Sequence, residues 1–220
     1  MNKPIMLITG VSKGIGHACA EYFSDSYQIA GVSRTSSQWT TDLGDLTDVE
    51  FRKILIEKYN PTVFINNAGS HPLRAGPVDT MRLNAESAVH LLTEFYGKMT
   101  TGNIINVSSW MATYGGKLSV DDIIYKSTKL MLKSVSNDLT LLRLKPVSVT
   151  CLEPQTVNTG LTNPRQKPVD DSLYTSYNHD SFTPMTPAYI AGVINWIITQ
   201  PPWVTIPTLE LSNGCARYDF

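Results

Sequence analysis

The sequence predicts an α/β fold: one doubly wound domain of about seven parallel strands with helices on both faces. Two observations predict it. Apolar strand-like runs alternate with amphipathic helix-like segments along the 220 residues, and that alternation is how crossover helices cover a parallel sheet. The first apolar run, Ile5–Thr9, passes straight into glycines at 10, 14 and 16 and then into a helix-like stretch from His17 to Phe23. Such a strand–turn–helix unit opens sheets of this class.

Strands are expected over residues 5–9, 28–33, a short one at 39–41, then 62–66, 103–108, 147–152 and 205–211. Helices are expected over 14–24, 46–58, 82–98, 122–143 and 187–199. The fourth helix carries Leu130, Val135, Leu139 and Leu142 at near-helical spacing, and Pro146 stands where a helix stop belongs. Residues 160–187 break the rhythm, being rich in Pro, Asn, Thr, Ser and Tyr. A loop that long in a compact domain is read as a functional lid, a binding loop or a disordered segment. The sequence shows no repeats and no low-complexity tract.

Composition narrows the class. With 42% hydrophobic and 17% charged residues the chain is globular, and its 220 residues bury one sizeable core. A net charge of −1 argues against a nucleic-acid or anionic-membrane partner. Cys19, Cys151 and Cys215 are odd in number and far apart, forming neither a disulfide framework nor a metal pair. No apolar stretch reaches the roughly 18 residues of a membrane span. The first strand begins too early to leave room for a signal peptide. The expectation is a cytoplasmic, single-domain protein without metal.

Two constellations carry chemistry. Glycines at a strand-to-helix turn let the backbone approach a pyrophosphate, and the following helix N-terminus offers its N–H groups to the anion. The spacing G-x-x-x-G-x-G, from Gly10 through Ser12, Lys13, Gly14 and Ile15 to Gly16, is not that of a P-loop, because no Gly-Lys-Ser/Thr closes it. Further on, Tyr125 and Lys129 stand four apart at the start of the long helix, hence on one face. A phenol is a poor acid–base catalyst at neutral pH unless its anion is stabilised, and an ammonium on the same face supplies that stabilisation. A half-exposed tyrosine beside a solvated lysine is the competing reading of that pair.

Four runs in order, Thr9-Gly10-x-x-x-Gly14-x-Gly16, Asn66-Asn67-Ala68-Gly69, Asn106-Val107-Ser108-Ser109 and Tyr125-x-x-x-Lys129, resemble the short-chain dehydrogenase/reductase family over nearly the whole chain. The resemblance implies a Rossmann-like domain and an oxidoreductase that interconverts a carbonyl and an alcohol. It implies Tyr125 as acid/base and Lys129 as the residue that lowers the tyrosine pKa and bonds the nicotinamide ribose. It also implies Ser109, rather than its neighbour Ser108, as the serine that polarises the carbonyl. Asn84 resembles the asparagine that anchors a proton relay to the lysine, with a helix kink as the competing role. Asn67, Ala68 and Gly69 would border the adenosine half of the cofactor. Asp42-Leu43 resembles the acidic–apolar pair beside the adenine. Asp45 offers a competing register, and Asp42 is favoured because Val49 then falls where the next helix begins burying apolar side chains. Pro154, Val157 and Thr159 match the segment near the nicotinamide, but Gln155 stands in place of the usual glycine, where a side chain would crowd or newly contact that region.

Charge argues the cofactor. An NAD site wants a carboxylate after the second strand, whereas this strand ends Ser33-Arg34. Arg34 and Lys13 suit a 2′-phosphate, so NADP(H) is preferred and NAD(H) is the alternative. From Ser109 to Tyr125 there are 16 positions, slightly more than the family's usual spacing, which places a small insertion at 114–121. The stretch from Gly69 to Asn84 is short, trimming the helix that often forms the interface of the family's homodimer or homotetramer. Trp110, Tyr114, His71, Gln155 and the loop tyrosines are candidate walls for a small-molecule substrate. Arg165 and Lys167 are candidate holders of an anionic group. The other readings are a non-catalytic NADP-binding sensor or partner subunit, and a dehydratase or epimerase of the same family.

Overall fold

The computed structural model describes residues 3–114, 118–142, 144–159, 161 and 184–213. Seven strands form one sheet: β1 (Ile5–Thr9), β2 (Gln28–Ser33), β3 (Asp42–Leu43), β4 (Val63–Asn66), β5 (Gly102–Val107), β6 (Val147–Pro154) and β7 (Thr208–Leu211). Their order is β3-β2-β1-β4-β5-β6-β7, and every pairing is parallel. The chain runs outward from β1 to β3 and then returns to place β4 on the other side of β1. Neighbouring connections therefore diverge at β1 and β4, and their carboxyl ends leave the crevice where such sheets bind ligands.

Side-chain alternation splits the core into two layers. Leu7, Val32, Phe64, Ile104 and Val149 face one side, where α2 (Val49–Lys58), α5 (Ala88–Lys98) and α6 (Val120–Leu142) cover them with Leu55, Phe95 and Leu132. Met6, Ile8, Ile65, Ile105 and Leu152 face the other, against Ile15, Cys19 and Phe23 of α1 (Gly14–Phe23) and Ile190, Ile194 and Ile197 of α7 (Pro187–Ile198). A period of two with apolar residues on both faces is what a doubly covered sheet requires. A buried polar chain fixes how α6 sits on this sheet. Asn66 Nδ2 donates to Asn106 Oδ1 at 2.9 Å, Asn106 Nδ2 donates to Ser136 Oγ at 3.0 Å, and Ser136 Oγ donates to Leu132 O at 2.6 Å.

Three expected elements shift. The short third strand is β3, not residues 39–41. Trp39–Thr41 crosses over Gly31, whose carbonyl accepts from Thr41 N and Oγ1, and the parallel ladder begins only at Val32 opposite Asp42. The second helix starts at Val49 because Asp48 caps it through Oδ1, which leaves Leu46 buried in the preceding turn. The third helix is broken. Short α3 (Pro72–Ala75) and α4 (Pro77–Met81) lead into a π-helical turn, Arg82–Ser87, before α5. Buried Arg52 braces this region by donating to Leu46 O and Ser87 Oγ, both at 2.8 Å, and to Glu86 at 2.7 Å. Residues 115–117 of the expected insertion, most of the 160–187 loop with Arg165 and Lys167, and Cys215 lie outside the described residues. Cys19 and Cys151 are buried free thiols. Among the described residues no helix is long and apolar enough to cross a membrane.

The crossing over Gly31 yields a test. A Cβ there would lie 1.9 Å from Trp39 O and 2.9 Å from Val11 Cγ2, so Gly31→Ala must displace backbone. We expect a loss of about 1–3 kcal/mol, the usual range for an overpacked core position, read from the denaturant midpoint.

Candidate active site

At the carboxyl ends of the strands a cleft of about 850 Å³ runs from the glycine turn, past Asn67–Gly69, to Ser109, Tyr125 and Lys129. Its first end is built by close approach. Gly10 and Gly14 have φ of 80° and 62°, values that a side chain rarely permits. A Cβ on Gly10 would lie 2.8 Å from Asn67 Nδ2, and one on Gly16 would lie 2.3 Å from Gly10 O. Gly16 thus does not line the cleft; it lets α1 pack under the turn. No side chain caps α1, and its first turn carries no acid, so its N-terminus suits an anion. Ser12, Lys13, Gly14 and Ile15 line the wall above it. These features fit the pyrophosphate of a dinucleotide.

Thr9, buried behind the cleft, ties the ends of β1 and β4 together. Its Oγ1 accepts from Asn67 N at 2.9 Å and Ala68 N at 3.0 Å, while Asn67 Nδ2 donates to Thr9 O at 2.8 Å. Beyond β2, Ser33, Arg34 and Thr35 border the cleft. The Ser33 hydroxyl is bound internally, to Thr35 O at 2.6 Å and to Thr40 Oγ1 at 2.9 Å. Arg34 is largely exposed and lies 3.5 Å from Asp45 Oδ2.

The acidic–apolar pair requires correction. Asp42 and Leu43 do not line the cleft; Gly44, Asp45 and Leu46 do. Asp42 is ladder-paired with Val32 and turned toward α2, where Lys58 Nζ at 2.6 Å and the Tyr59 hydroxyl hold its carboxylate. Asp45 accepts from Thr47 N and Oγ1, both at 2.9 Å. Burial alone would raise its pKa, but the Thr47 bonds and Arg34 outweigh it and hold the carboxyl below its usual range. The Asp-x-Thr turn was the available sequence signal, since an aspartate bonding two residues on marks a chain leaving a strand.

At the other end, Ser109, Tyr125 and Lys129 are all buried and on the cleft wall. Ser109 faces the Tyr125 phenol closely enough to favour its ionised form, and its Oγ accepts from Met111 N at 3.2 Å. Ser108 is committed to structure: its hydroxyl donates to Lys129 O at 3.0 Å. Lys129 Nζ donates to Val107 O at 2.9 Å and lies 5.8 Å from the Tyr125 ring centroid. The expected lowering of the tyrosine pKa is not found. Burial pushes Tyr125 up to about 12 against the effect of Ser109, and burial pushes Lys129 down to about 8. The ammonium is tied to a β5 carbonyl, and desolvation dominates both groups.

Asn84 lies behind the wall, within the π-helical turn. Its Oδ1 accepts from Ser70 N at 2.8 Å, and its Nδ2 donates to Ser70 O at 2.7 Å and Thr128 Oγ1 at 3.4 Å. The helix irregularity and the proximity to Lys129 coexist, because a Cβ on Gly69 would be 3.3 Å from Asn84 Oδ1 and 3.4 Å from Lys129 Nζ. Pro154, Val157 and Thr159 line the cleft. Gln155 also borders it, but the side-chain oxygen turns to accept from Asn213 N at 2.7 Å, so that atom ties the end of β6 to the chain after β7. Trp110 lines the wall and stacks on Tyr114, with centroids 4.5 Å apart. Arg74, Ala75, Asp79, Leu83, Met111 and Leu161 also line it, none of them signalled by the motifs.

Comparison with known proteins identifies the family. The family model described as short chain dehydrogenase matches residues 4–170, and the chain belongs to that family of oxidoreductases. It is 28% identical to the serine 3-dehydrogenase of Rhizobium radiobacter over 242 aligned residues, covering 94% of this chain and 92% of the relative. It is 27% identical to the NADP-dependent 3-hydroxy acid dehydrogenase YdfG of Shigella flexneri, covering 97% and 96%. A solved structure, the closed form of serine dehydrogenase complexed with NADP+, superimposes with a TM-score of 0.79 at 21% identity, covering 98% and 97% of the two chains.

Lys129 supplies a pH test. Its folded value near 8 lies below the ordinary 10.5, so between these values the unfolded chain binds the proton that the folded site rejects, and stability rises with pH. The cost is complete below about pH 8 and disappears toward 10.5. Lys129→Met removes it at the expense of the Val107 bond. The variant's stability relative to wild type should therefore fall by at most ~3 kcal/mol as pH rises across that window, measured by denaturant titration.

Proposed function

We propose that the protein is an NADP(H)-dependent oxidoreductase that interconverts a carbonyl and an alcohol, with Tyr125 as the acid/base. The convergence of Ser109, Tyr125 and Lys129 on one wall, at the far end of the cleft from the glycine turn, carries this reading. NADP(H) held in the cleft would supply the hydride for the reacting carbon, or accept it in the reverse direction. Tyr125 gives its proton to the developing alkoxide. A phenol near 12 is still a stronger acid than an alcohol, so the transfer runs downhill. Ser109 donates a hydrogen bond to the same oxygen and stabilises its charge. Lys129 is the nearby cation available to the resulting phenolate, and Asn84 steadies the Ser70 backbone beside it. Gly10 to Ile15, Ser33, Asn67 to Gly69, Asp45 and Leu46 hold the adenosine and pyrophosphate half; Pro154, Val157 and Thr159 border the nicotinamide half.

The preference for NADP(H) rests on Arg34 and Lys13 at the corner beyond β2. The nearest carboxylate, that of Asp45, is already engaged by Thr47 and Arg34. The two named relatives act on serine and on 3-hydroxy acids. Small 3-hydroxy acids and their 3-oxo partners are thus the first substrate class.

The test is reduction of NADP+ with serine and a panel of 3-hydroxy acids, and oxidation of NADPH with aldehydes and ketones. Tyr125→Phe should lower kcat by about 10²–10⁴-fold, the range for general acid–base catalysis, with NADPH affinity retained in a fluorescence titration. Full activity in that variant would refute the assignment. Arg34→Ala should weaken NADPH binding by about 10-fold or more while sparing NADH, because it removes a charge-assisted bond only the 2′-phosphate makes.

A further inference from the structure

Packed against the Tyr125 ring is a buried histidine that the mechanism above does not use. His71 precedes Pro72, which restricts it to extended backbone, and at φ −112° and ψ 146° it caps α3. Its Nδ1 accepts from Leu73 N at 3.3 Å, and its Nε2 lies 3.3 Å from Asp122 Oδ1. A ring nitrogen that accepts from an amide carries no proton, so the hydrogen-bond pattern places the imidazole proton on Nε2, directed at Asp122. Asp122 is itself fixed, since its Oδ2 accepts from Ser119 N at 3.0 Å and Ser119 Oγ at 2.7 Å at the start of α6. With both nitrogens engaged and 2% of its surface exposed, the ring cannot turn without breaking two bonds. Its centroid lies 5.0 Å from that of Tyr125, with the planes 40° apart. That is a packing contact between ring faces, not a bond to the phenol oxygen.

We propose that His71, clamped between the Leu73 amide and the Asp122 carboxylate, is a positioning residue for Tyr125, fixing the plane of the phenol so that its hydroxyl meets Ser109. The inference rests on the reading of Tyr125 as the acid/base. Asp122 stands one turn before Tyr125 on the same helix, so the clamp references the tyrosine to its own backbone. His71 thus bridges α3, behind Gly69, and the helix that carries the acid/base.

Two substitutions separate positioning from mere capping. His71→Asn keeps an oxygen able to cap α3, asparagine being a favoured N-cap, but removes the ring. His71→Phe keeps a ring against Tyr125 and removes both hydrogen bonds. Tyrosines labelled at Cζ report the phenol directly, the Tyr125 resonance being the one lost in Tyr125→Phe. Positioning predicts that His71→Asn shifts or broadens this resonance and lowers kcat about tenfold or more, with KM for NADPH nearly unchanged, as for a misplaced reacting group. It also predicts that His71→Phe lies closer to wild type in both readouts. A capping role predicts the reverse order, with the asparagine variant like wild type and the phenylalanine variant impaired, and that order would overturn the proposal. If wild type turns over no substrate, the functional reading fails on its own. The Tyr125 resonance in the two variants still decides whether His71 holds the ring.

Discussion

Thr9 joins the two strand ends between which the cleft opens. Its hydroxyl accepts from the Asn67 and Ala68 amides, and the Asn67 side chain returns a bond to the Thr9 carbonyl. In a parallel sheet the ladder between neighbours ends at the carboxyl edge, where backbone groups would otherwise lose their partners. These three bonds extend the β1–β4 pairing by two residues. The same closeness forbids a Cβ at Gly10, whose place would be 2.8 Å from Asn67 Nδ2. The glycine turn is thereby pressed onto the strand ends, and α1 starts directly beneath the cleft.

From this junction one continuous set of contacts reaches the far end of the site. Asn67 leads to Gly69, whose bare Cα leaves room for both Asn84 Oδ1 and Lys129 Nζ. Lys129 reaches the Val107 carbonyl at the end of β5, and Ser108 returns to the Lys129 carbonyl. The Asn66–Asn106–Ser136 chain fixes the same helix from below. The glycine-turn end and the hydroxyl end of the cleft are therefore set relative to each other by backbone-anchored bonds. Buried polar groups satisfied this completely hold one geometry, since breaking any bond strands a donor or acceptor away from water.

A second polar cluster supports the segment after Ser109. Glu153, fully buried, is met by Lys133 Nζ at 2.9 Å and Thr113 Oγ1 at 2.9 Å, and Glu210 approaches Lys133 at 3.6 Å. Burial alone would lower the Lys133 pKa, but Glu153 and Glu210 outweigh it and raise the value, so this lysine stays charged where Lys129 is pushed down. The contrast is one of pairing: Lys133 meets carboxylates, whereas among the described residues the hydrogen-bond partner of Lys129 Nζ is the Val107 carbonyl. One ammonium anchors β6, β7 and the Trp110–Ala112 turn, and the other is left as the responsive charge beside Tyr125.

Periodicity and turn chemistry in the sequence determined which segments are strands, their two apolar faces, the place of the glycine turn and the helical spacing of Tyr125 and Lys129, because each of these is written in a local pattern. Thr9 stood inside the quoted glycine motif without a role, since nothing local says which backbone its hydroxyl will meet. Tertiary structure put Asp45 rather than Asp42 on the cleft, through the ladder register that places Asp42 opposite Val32 and sends residues 44–46 over the edge, where the local Asp-x-Thr turn was the only signal in the sequence. It decided that Asn84 sits in a π-helical turn beside Ser70, that Gln155 Oε1 turns to Asn213, and that His71 packs on Tyr125. It also reversed the expected direction of the Tyr125 pKa, because desolvation depends on everything packed around a group and cannot be read from the charge four residues away.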